Sequence, residues 1–280
     1  MSLMKYQQIK PEQIDPYLDS EDWDLMQKLD GMRARLVITS SETKVLGNDG
    51  MPSTSTAIAP TVAKLYDFGE AYRKANRISE VVKVEGEIVD GVFWIFDSPQ
   101  AGIPWHARRD AMLSARWPQQ MGPWARQCPV FSTPELKRRA WERIVACGVE
   151  GAVLKHHLGL VDDTGKRVPY VLKCKLTHTV DCFVLDRGSG NGRNGTDNWL
   201  AFGLIDSETG QERFMGRCST IGKPYADIGD VIEIRYLYVG AGGKLVQPTH
   251  LRNRPDKRIE ECTTDQLHYV SKHVIRGNEV

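Results

Sequence analysis

Between Leu25 and Lys175, short apolar runs with strand-like spacing are interrupted by three stretches whose apolar residues recur at helical intervals. Residues 4 to 22 come first; they are polar, carry Pro11 and Pro16, and read as a short lead-in. Leu36 to Leu46 holds two strand-like runs around Thr39-Ser40-Ser41-Glu42-Thr43, a hairpin signal. Pro60 to Arg77 puts Val62, Leu65, Phe68 and Tyr72 on one helical face, with a proline near its start. Val81 to Asp97 predicts a strand, a turn at Asp90-Gly91 and a second strand. Pro104 to Trp117 predicts a helix, and residues 118 to 131, rich in Pro, Gln and Trp, a loop. A further helix is expected from Pro134 to about Cys147. Thr133 can cap it, Pro134 suits its first turn, and Gly148 ends it. Val149 to His156 and Tyr170 to Lys175 are further strands.

After about residue 178 the helical spacing stops. Strands are expected at Val180–Leu185, Trp199–Ile205, Glu212–Met215, Val231–Val239 and Lys244–Val246, with a closing helix around Thr264 to Val274. Strands so short and so evenly punctuated suggest a small β-barrel of OB-fold size. The expected class is therefore α+β. Residues 1–178 form a domain of antiparallel sheets and helices without regular βαβ alternation, and residues 179–280 an OB-fold β-barrel domain.

Composition changes this picture little. The 280 residues are 41% hydrophobic and 26% charged, an ordinary globular balance. Lys and Arg number 37 against 36 Asp and Glu, so a nucleic-acid footprint has to come from the distribution of charge. No apolar run is long enough to span a bilayer. The six cysteines form no C-x-x-C pair, which points to reduced thiols in a cytosolic protein and away from structural zinc. Gly190-Asn191-Gly192-Arg193-Asn194-Gly195 satisfies the dinucleotide fingerprint G-x-G-x-x-G. That fingerprint needs a helix after it, and the strand-like Trp199-Leu200-Ala201-Phe202 follows instead. A hairpin loop is the better reading, with Arg187 and Arg193 available to a polyanion.

Candidate chemistry starts at Lys28. An apolar approach, Leu25-Met26, delivers this lysine, then Asp30, Gly31 and Arg33, and a second apolar run follows from Leu36 to Ile38. A lysine between two strand-like runs is unusual unless its amine has a task. The pattern Lys-x-Asp-Gly-x-Arg resembles the nucleotide-attachment motif of the covalent nucleotidyltransferases: ATP-dependent DNA ligases, RNA ligases and mRNA-capping enzymes. Five later stretches extend the resemblance in the family's order. Glu85-Gly86-Glu87-Ile88-Val89 looks like its metal-binding strand, with Glu87 the match. Trp94-Ile95-Phe96-Asp97 looks like the segment whose aromatic, here Phe96, stacks on the purine. Glu150-Gly151-Ala152-Val153-Leu154-Lys155 looks like Glu-Gly-x-x-x-Lys, which implies Glu150 beside the metal and nucleotide and Lys155 on phosphate. Leu172-Lys173-Cys174-Lys175 puts two lysines on one strand face, an arrangement that a bound phosphate relieves. Finally Arg254, Asp256 and Lys257 match the Arg-x-Asp-Lys that ends the family's OB domain.

Taken together, the chain resembles a minimal, bacteriophage-type ATP-dependent DNA ligase: a nucleotidyltransferase (adenylation) domain followed by an OB domain. The resemblance implies that Lys28 is catalytic and forms lysyl-AMP. It also implies that Arg33, Phe96, Glu150, Lys173, Lys175, Arg254 and Lys257 bind the nucleotide, and that Glu87 and Glu150 hold Mg²⁺ or Mn²⁺. The resemblance further implies ATP as the cofactor, and nicked double-stranded DNA as the partner of a monomer acting in repair or replication. The expected location is the cytoplasm, that of the host for a phage protein. Arg108, Arg109, Arg138, Arg139 and Arg193 are candidate contacts to the DNA backbone. Two departures stand out. Asn48 falls where relatives carry a phosphate-gripping arginine, and Met26 where DNA ligases often carry a purine-contacting Glu or Thr. They keep open an RNA ligase, a capping guanylyltransferase or a non-catalytic nick-binding relative.

Overall fold

The computed structural model describes residues 5–47, 49–53, 55–76, 78–161, 166–189, 197–270, 274, 275 and 277. The chain divides into two compact units, residues 1–144, 151–175 and 273–280 in the first and residues 145–150 and 176–272 in the second. The glycine-rich loop with Arg193, and Asn48, lie outside the described residues.

In chain order the first unit comprises β1 (Lys5–Ile9), α1 (Asp15–Asp19), β2 (Trp23–Gln27), β3 (Met32–Ile38), β4 (Thr43–Leu46), α2 (Ala59–Ala75), β5 (Val82–Val89) and β6 (Val92–Asp97). There follow α3 (Trp105–Ser114), α4 (Trp117–Met121), β7 (Ala125–Gln127), most of α5 (Pro134–Cys147), β8 (Gly151–His156) and β9 (Arg167–Lys175). The strands make two sheets, ordered β4-β3-β5-β6-β7 and β1-β9-β8-β2. Pairing is antiparallel except for β6 with β7 and β1 with β9. Leu36, Ile38, Leu65, Val84, Phe93, Ile95 and Trp105 are buried in a common core. The β5–β6 turn forms where expected, because Asp90 (φ 50°) and Gly91 (φ 75°) both take the left-handed conformation that a two-residue hairpin needs. Thr133 caps α5, its Oγ1 accepting the Leu136 N–H at 3.3 Å.

Two expectations change in this first unit. The polar lead-in is a structural element: β1 runs parallel to β9, with Ile9 opposite Cys174. Pairing with a strand some 160 residues away leaves no local trace beyond a loose alternation. The expected loop at 118–131 contains the end of α4 and the three-residue β7, which extends the β6 edge.

The second unit contains β10 (His178–Ser189), β11 (Asp197–Ile205), β12 (Glu212–Ser219), β13 (Val231–Tyr236) and β14 (Thr249–Asn253). They form one antiparallel sheet ordered β12-β11-β10-β13-β14, over a core that includes Cys182, Phe202, Leu204, Met215, Ile232 and Ile234. Among the described residues no ladder joins β12 to β14, so a five-stranded sheet stands where a closed barrel was expected. Lys244–Val246 contributes a single bridge, Val239 to Leu245. The expected closing helix is a 3₁₀ turn at Thr264–Gln266 followed by extended chain. There the Val239 N–H donates to the His268 carbonyl at 3.1 Å and Val239 bridges Tyr269, so pairing replaces the helical hydrogen bonds. All six cysteines are buried and unpaired with one another, and burial pushes the Cys128 and Cys174 thiols up to about 12. Among the described residues no helix is long and apolar enough to cross a membrane.

Candidate active site

Lys28 leaves the end of β2 and is fixed by its backbone, whose N–H donates to the Gly151 carbonyl at 2.8 Å. Three residues on, a β-carbon at Gly31 would collide with the Ile88 carbonyl oxygen, so glycine is required where the chain enters β3. Lys28 thus sits on the link between the two sheets of the first unit, and there it lines a cavity of about 550 Å³. Arg33, Glu87, Phe96, Lys155 and Lys173 line the same cavity, and the buried Met26 forms part of its wall. The volume falls in the range of cavities that hold small ligands.

On the five-stranded sheet Arg33 is opposite Glu87, and Arg35 opposite Glu85. Glu85 is buried and committed: Arg33 Nη2 approaches its Oε2 at 2.5 Å and Arg35 its Oε1. Of this carboxylate pair, Glu87 lines the cavity. The Arg33 guanidinium lies 5.5 Å from the ring centroids of both Phe96 and Tyr6. Burial lifts the Tyr6 phenol to about 12, so it stays a neutral hydrogen-bond donor.

Lys155, expected on phosphate, lines the cavity and is also tied to protein groups. Its side chain is 1% exposed and donates to the Phe96 carbonyl at 2.8 Å and to Asp97 Oδ2 at 2.9 Å. Its ammonium also lies 3.8 Å from the centre of the Trp105 ring. Burial draws its pKa down and the Asp97 charge opposes that. Lys155 therefore braces the strand end that presents Phe96.

Glu150 and Lys175 are not among the residues lining the cavity; Glu150 is buried, its carbonyl accepting the Leu176 N–H at 2.9 Å. Among the described residues no group of three or more His, Cys, Asp or Glu side chains is placed to hold a metal alone. A Mg²⁺ ion that keeps its waters and shares substrate phosphates needs only one or two carboxylates, which Glu87 fits.

Arg108 is corrected as a surface contact. It is buried, donating to both Asp97 oxygens (2.9 and 3.3 Å) and to the Ile103 and Gly159 carbonyls. Arg109 is largely buried against Asp24, with Nη1 2.9 Å from Oδ2. Arg138 and Arg139 lie exposed on α5, Arg138 paired with Asp19 at 2.6 Å. In the second unit Arg254 grips Asp181 (2.9 Å) and Asp256 (2.8 Å), and Lys257 pairs with Glu261 at 2.9 Å. Lys5, Tyr6, Gln27 and Arg167 also line the cavity and were not picked out from the sequence.

No family model and no curated protein matches the sequence. Among solved structures, the fold is similar to that of a DNA ligase. A Lig E DNA ligase, described as binding DNA with a minimal scaffold, superposes with a TM-score of 0.60 at 18% identity, over 91% of this chain and 99% of its own. Two Pmar-Lig structures reach the same TM-score, 0.60, at 17% and 16% identity over 83% and 89% of this chain. This chain spans 63% and 67% of their lengths.

Proposed function

We propose that this chain is an ATP-dependent DNA ligase that seals nicks in duplex DNA through a lysyl-AMP intermediate. The observation that carries the reading is the convergence of Lys28, Arg33, Glu87, Phe96 and Lys173 on one cavity from strands far apart in sequence, within a ligase-like fold. In the first step Lys28 Nζ, after losing a proton, bonds to the α-phosphorus of ATP and the bond to pyrophosphate breaks. AMP is then transferred from Lys28 to the 5′-phosphate at a nick. Attack by the 3′-hydroxyl on that activated phosphate closes the phosphodiester and releases AMP.

Each step gathers negative charge on transferring phosphoryl oxygens, so positioning and fixed cations supply most of the catalysis. Lys173 and Arg33 are the cations for that task, and Phe96 is the platform for the base. Glu87 would hold Mg²⁺, which neutralises phosphate charge when bound. For Arg254 and Lys257 to orient pyrophosphate, their pairs with Asp181, Asp256 and Glu261 have to loosen, with residues 176–180 as the hinge. The protein acts as a cytoplasmic monomer, and the exposed Arg138 and Arg139 are its candidate DNA-backbone contacts.

The test is incubation with α-labelled ATP or GTP, mapping of the labelled residue, and then addition of a nicked duplex. Label from ATP on Lys28 followed by sealing of DNA is expected. Label from GTP without sealing would favour a capping enzyme, sealing of RNA only an RNA ligase, and nick binding without label a non-catalytic relative.

A further inference from the structure

Gln27 is the last residue of β2 and stands immediately before Lys28. It is 5% exposed, yet it lines the Lys28 cavity. Every residue from Asp24 to Gln27 is buried, so an apolar side chain would serve packing at position 27 as Leu25 and Met26 serve it. A buried amide costs stability unless it is hydrogen-bonded. The partner comes from far along the chain: the Ile275 N–H donates to Gln27 Oε1 at 2.7 Å, across 248 positions of sequence. Val274 and Ile275 belong to the first unit, although residues 176–272 belong to the second. Val274 packs against the core that holds Met26, Leu29 and Cys128, and Ile275 is 2% exposed. Packing explains those two apolar side chains. It does not call for a bond from the Ile275 backbone to a cavity-lining amide beside the nucleophile. With its oxygen engaged by a donor, that amide takes one orientation. Lys28 is thereby held from two sides, by Gln27 before it and by its own N–H on the Gly151 carbonyl.

We infer that the Ile275 N–H and the Gln27 amide act as a positioning pair for Lys28 in the step that forms lysyl-AMP. The inference rests on the ligase reading. In that step the lone pair of the deprotonated Lys28 Nζ bonds to the α-phosphorus while the bond to pyrophosphate breaks, so the amine has to stand in line with the leaving oxygen. The direction in which Lys28 leaves β2 is set by the peptide that joins it to Gln27. Releasing Gln27 from Ile275 lets that peptide turn and the amine lose its line. Such a misalignment slows bond formation and leaves the hold on ATP, which belongs to Phe96 and the cavity's cations, in place.

The test uses the full chain as wild type, Gln27→Met, Ile275→Pro and the double variant, with thermal unfolding to confirm that each folds. Methionine keeps the length of residue 27 without the acceptor, and proline keeps an apolar side chain at 275 without the N–H. Uptake of α-labelled ATP is followed in single turnover over a range of ATP concentrations. This separates the rate constant at saturation from the half-saturating concentration. Each single variant is expected to lower the rate constant about tenfold, with half-saturation within about twofold of wild type. The double variant should be no slower than the slower single variant, because both changes remove the same bond. A Gln27→Met rate constant within about twofold of wild type overturns the positioning role and leaves the ligase reading intact. So does a loss confined to half-saturation, or a double variant whose loss is the product of the two single losses. If Ile275→Pro does not fold, Gln27→Met alone decides. A wild type that takes up no label ends the ligase reading, and the positioning role with it.

Discussion

Lys155 and Asp97 form a buried ion pair, Nζ to Oδ2 2.9 Å, with each side chain no more than 4% exposed. Arg108 closes the other carboxylate oxygen at 2.9 Å. Because the Lys155 ammonium also holds the Phe96 carbonyl, this pair fixes the end of β6 where the cavity-lining aromatic stands. A buried charge keeps its form only when such partners surround it.

The pH dependence of stability follows from that pair. Burial alone would raise the Asp97 carboxyl, but the charges of Lys155 and Arg108 outweigh it and hold the pKa at about 2. A folded value below the unfolded one, about 3.9, contributes stability above pH 4 that disappears as pH falls towards 2, to the extent of about 2 kcal/mol. Urea unfolding at pH 5.5, 4, 3 and 2.5 should show this loss in wild type and a flatter profile in Asp97→Asn. Parallel profiles would remove Asp97 as the cause.

The two carboxylates of β5 should separate cleanly. Glu85→Gln leaves the buried Arg35 and the half-buried Arg33 beside a neutral amide and is expected to cost about 3 kcal/mol of stability. Glu87→Gln is expected to change stability by less than about 1 kcal/mol, while lowering metal-dependent label uptake on the order of 100-fold. Denaturant melts beside labelling rates check both. Equal loss of stability in the two variants would place Glu87 in the same structural role as Glu85.

Part of the cavity was legible through motif order. Lys28, Glu87 and Phe96 stand out because their short motifs resemble those of the covalent nucleotidyltransferases in the same chain order, and Lys173 because it shares a strand face with Lys175. Lys5, Tyr6 and Arg167 could not be read that way, since their place in the cavity comes from the parallel pairing of β1 with β9. Arg108 was readable and misread. Trp105, Arg108 and Met112 are the buried residues of α3, spaced at three and four, so helical periodicity already put this arginine on the inner face. A charged residue on that face needs a buried partner, and Asp97, eleven positions earlier, supplies it. The barrel expected after residue 178 rested on strand number and spacing, which predict a β unit and leave its closure undecided.

Arg108 and the α5 arginines give a contrast in DNA binding. Arg108→Ala empties a buried site bonded to Asp97 and two carbonyls, with an expected cost of about 3–5 kcal/mol, on the order of the loss when one member of a buried pair is removed. Arg138→Ala and Arg139→Ala, on an exposed helix face, should change stability by less than about 0.5 kcal/mol. Each should weaken binding to a duplex and lower the salt slope by about one if it touches phosphate. Fluorescence anisotropy across a salt series decides it, and an unchanged slope in both variants excludes α5 from the DNA footprint.

Lys28→Arg is the sharpest probe of the chemistry. The substitution keeps the positive charge and nearly the length, and the backbone bond from residue 28 to the Gly151 carbonyl is independent of the side chain. Folding should therefore be retained, with a melting temperature close to that of wild type. A guanidinium does not give up its proton in a protein and cannot act as the nucleophile. Label uptake from ATP should fall on the order of 1,000-fold or more, while binding of ATP, measured by calorimetry, stays within a few fold. A Lys28→Arg protein that still acquires AMP would move the attachment to a different residue and end the case for Lys28.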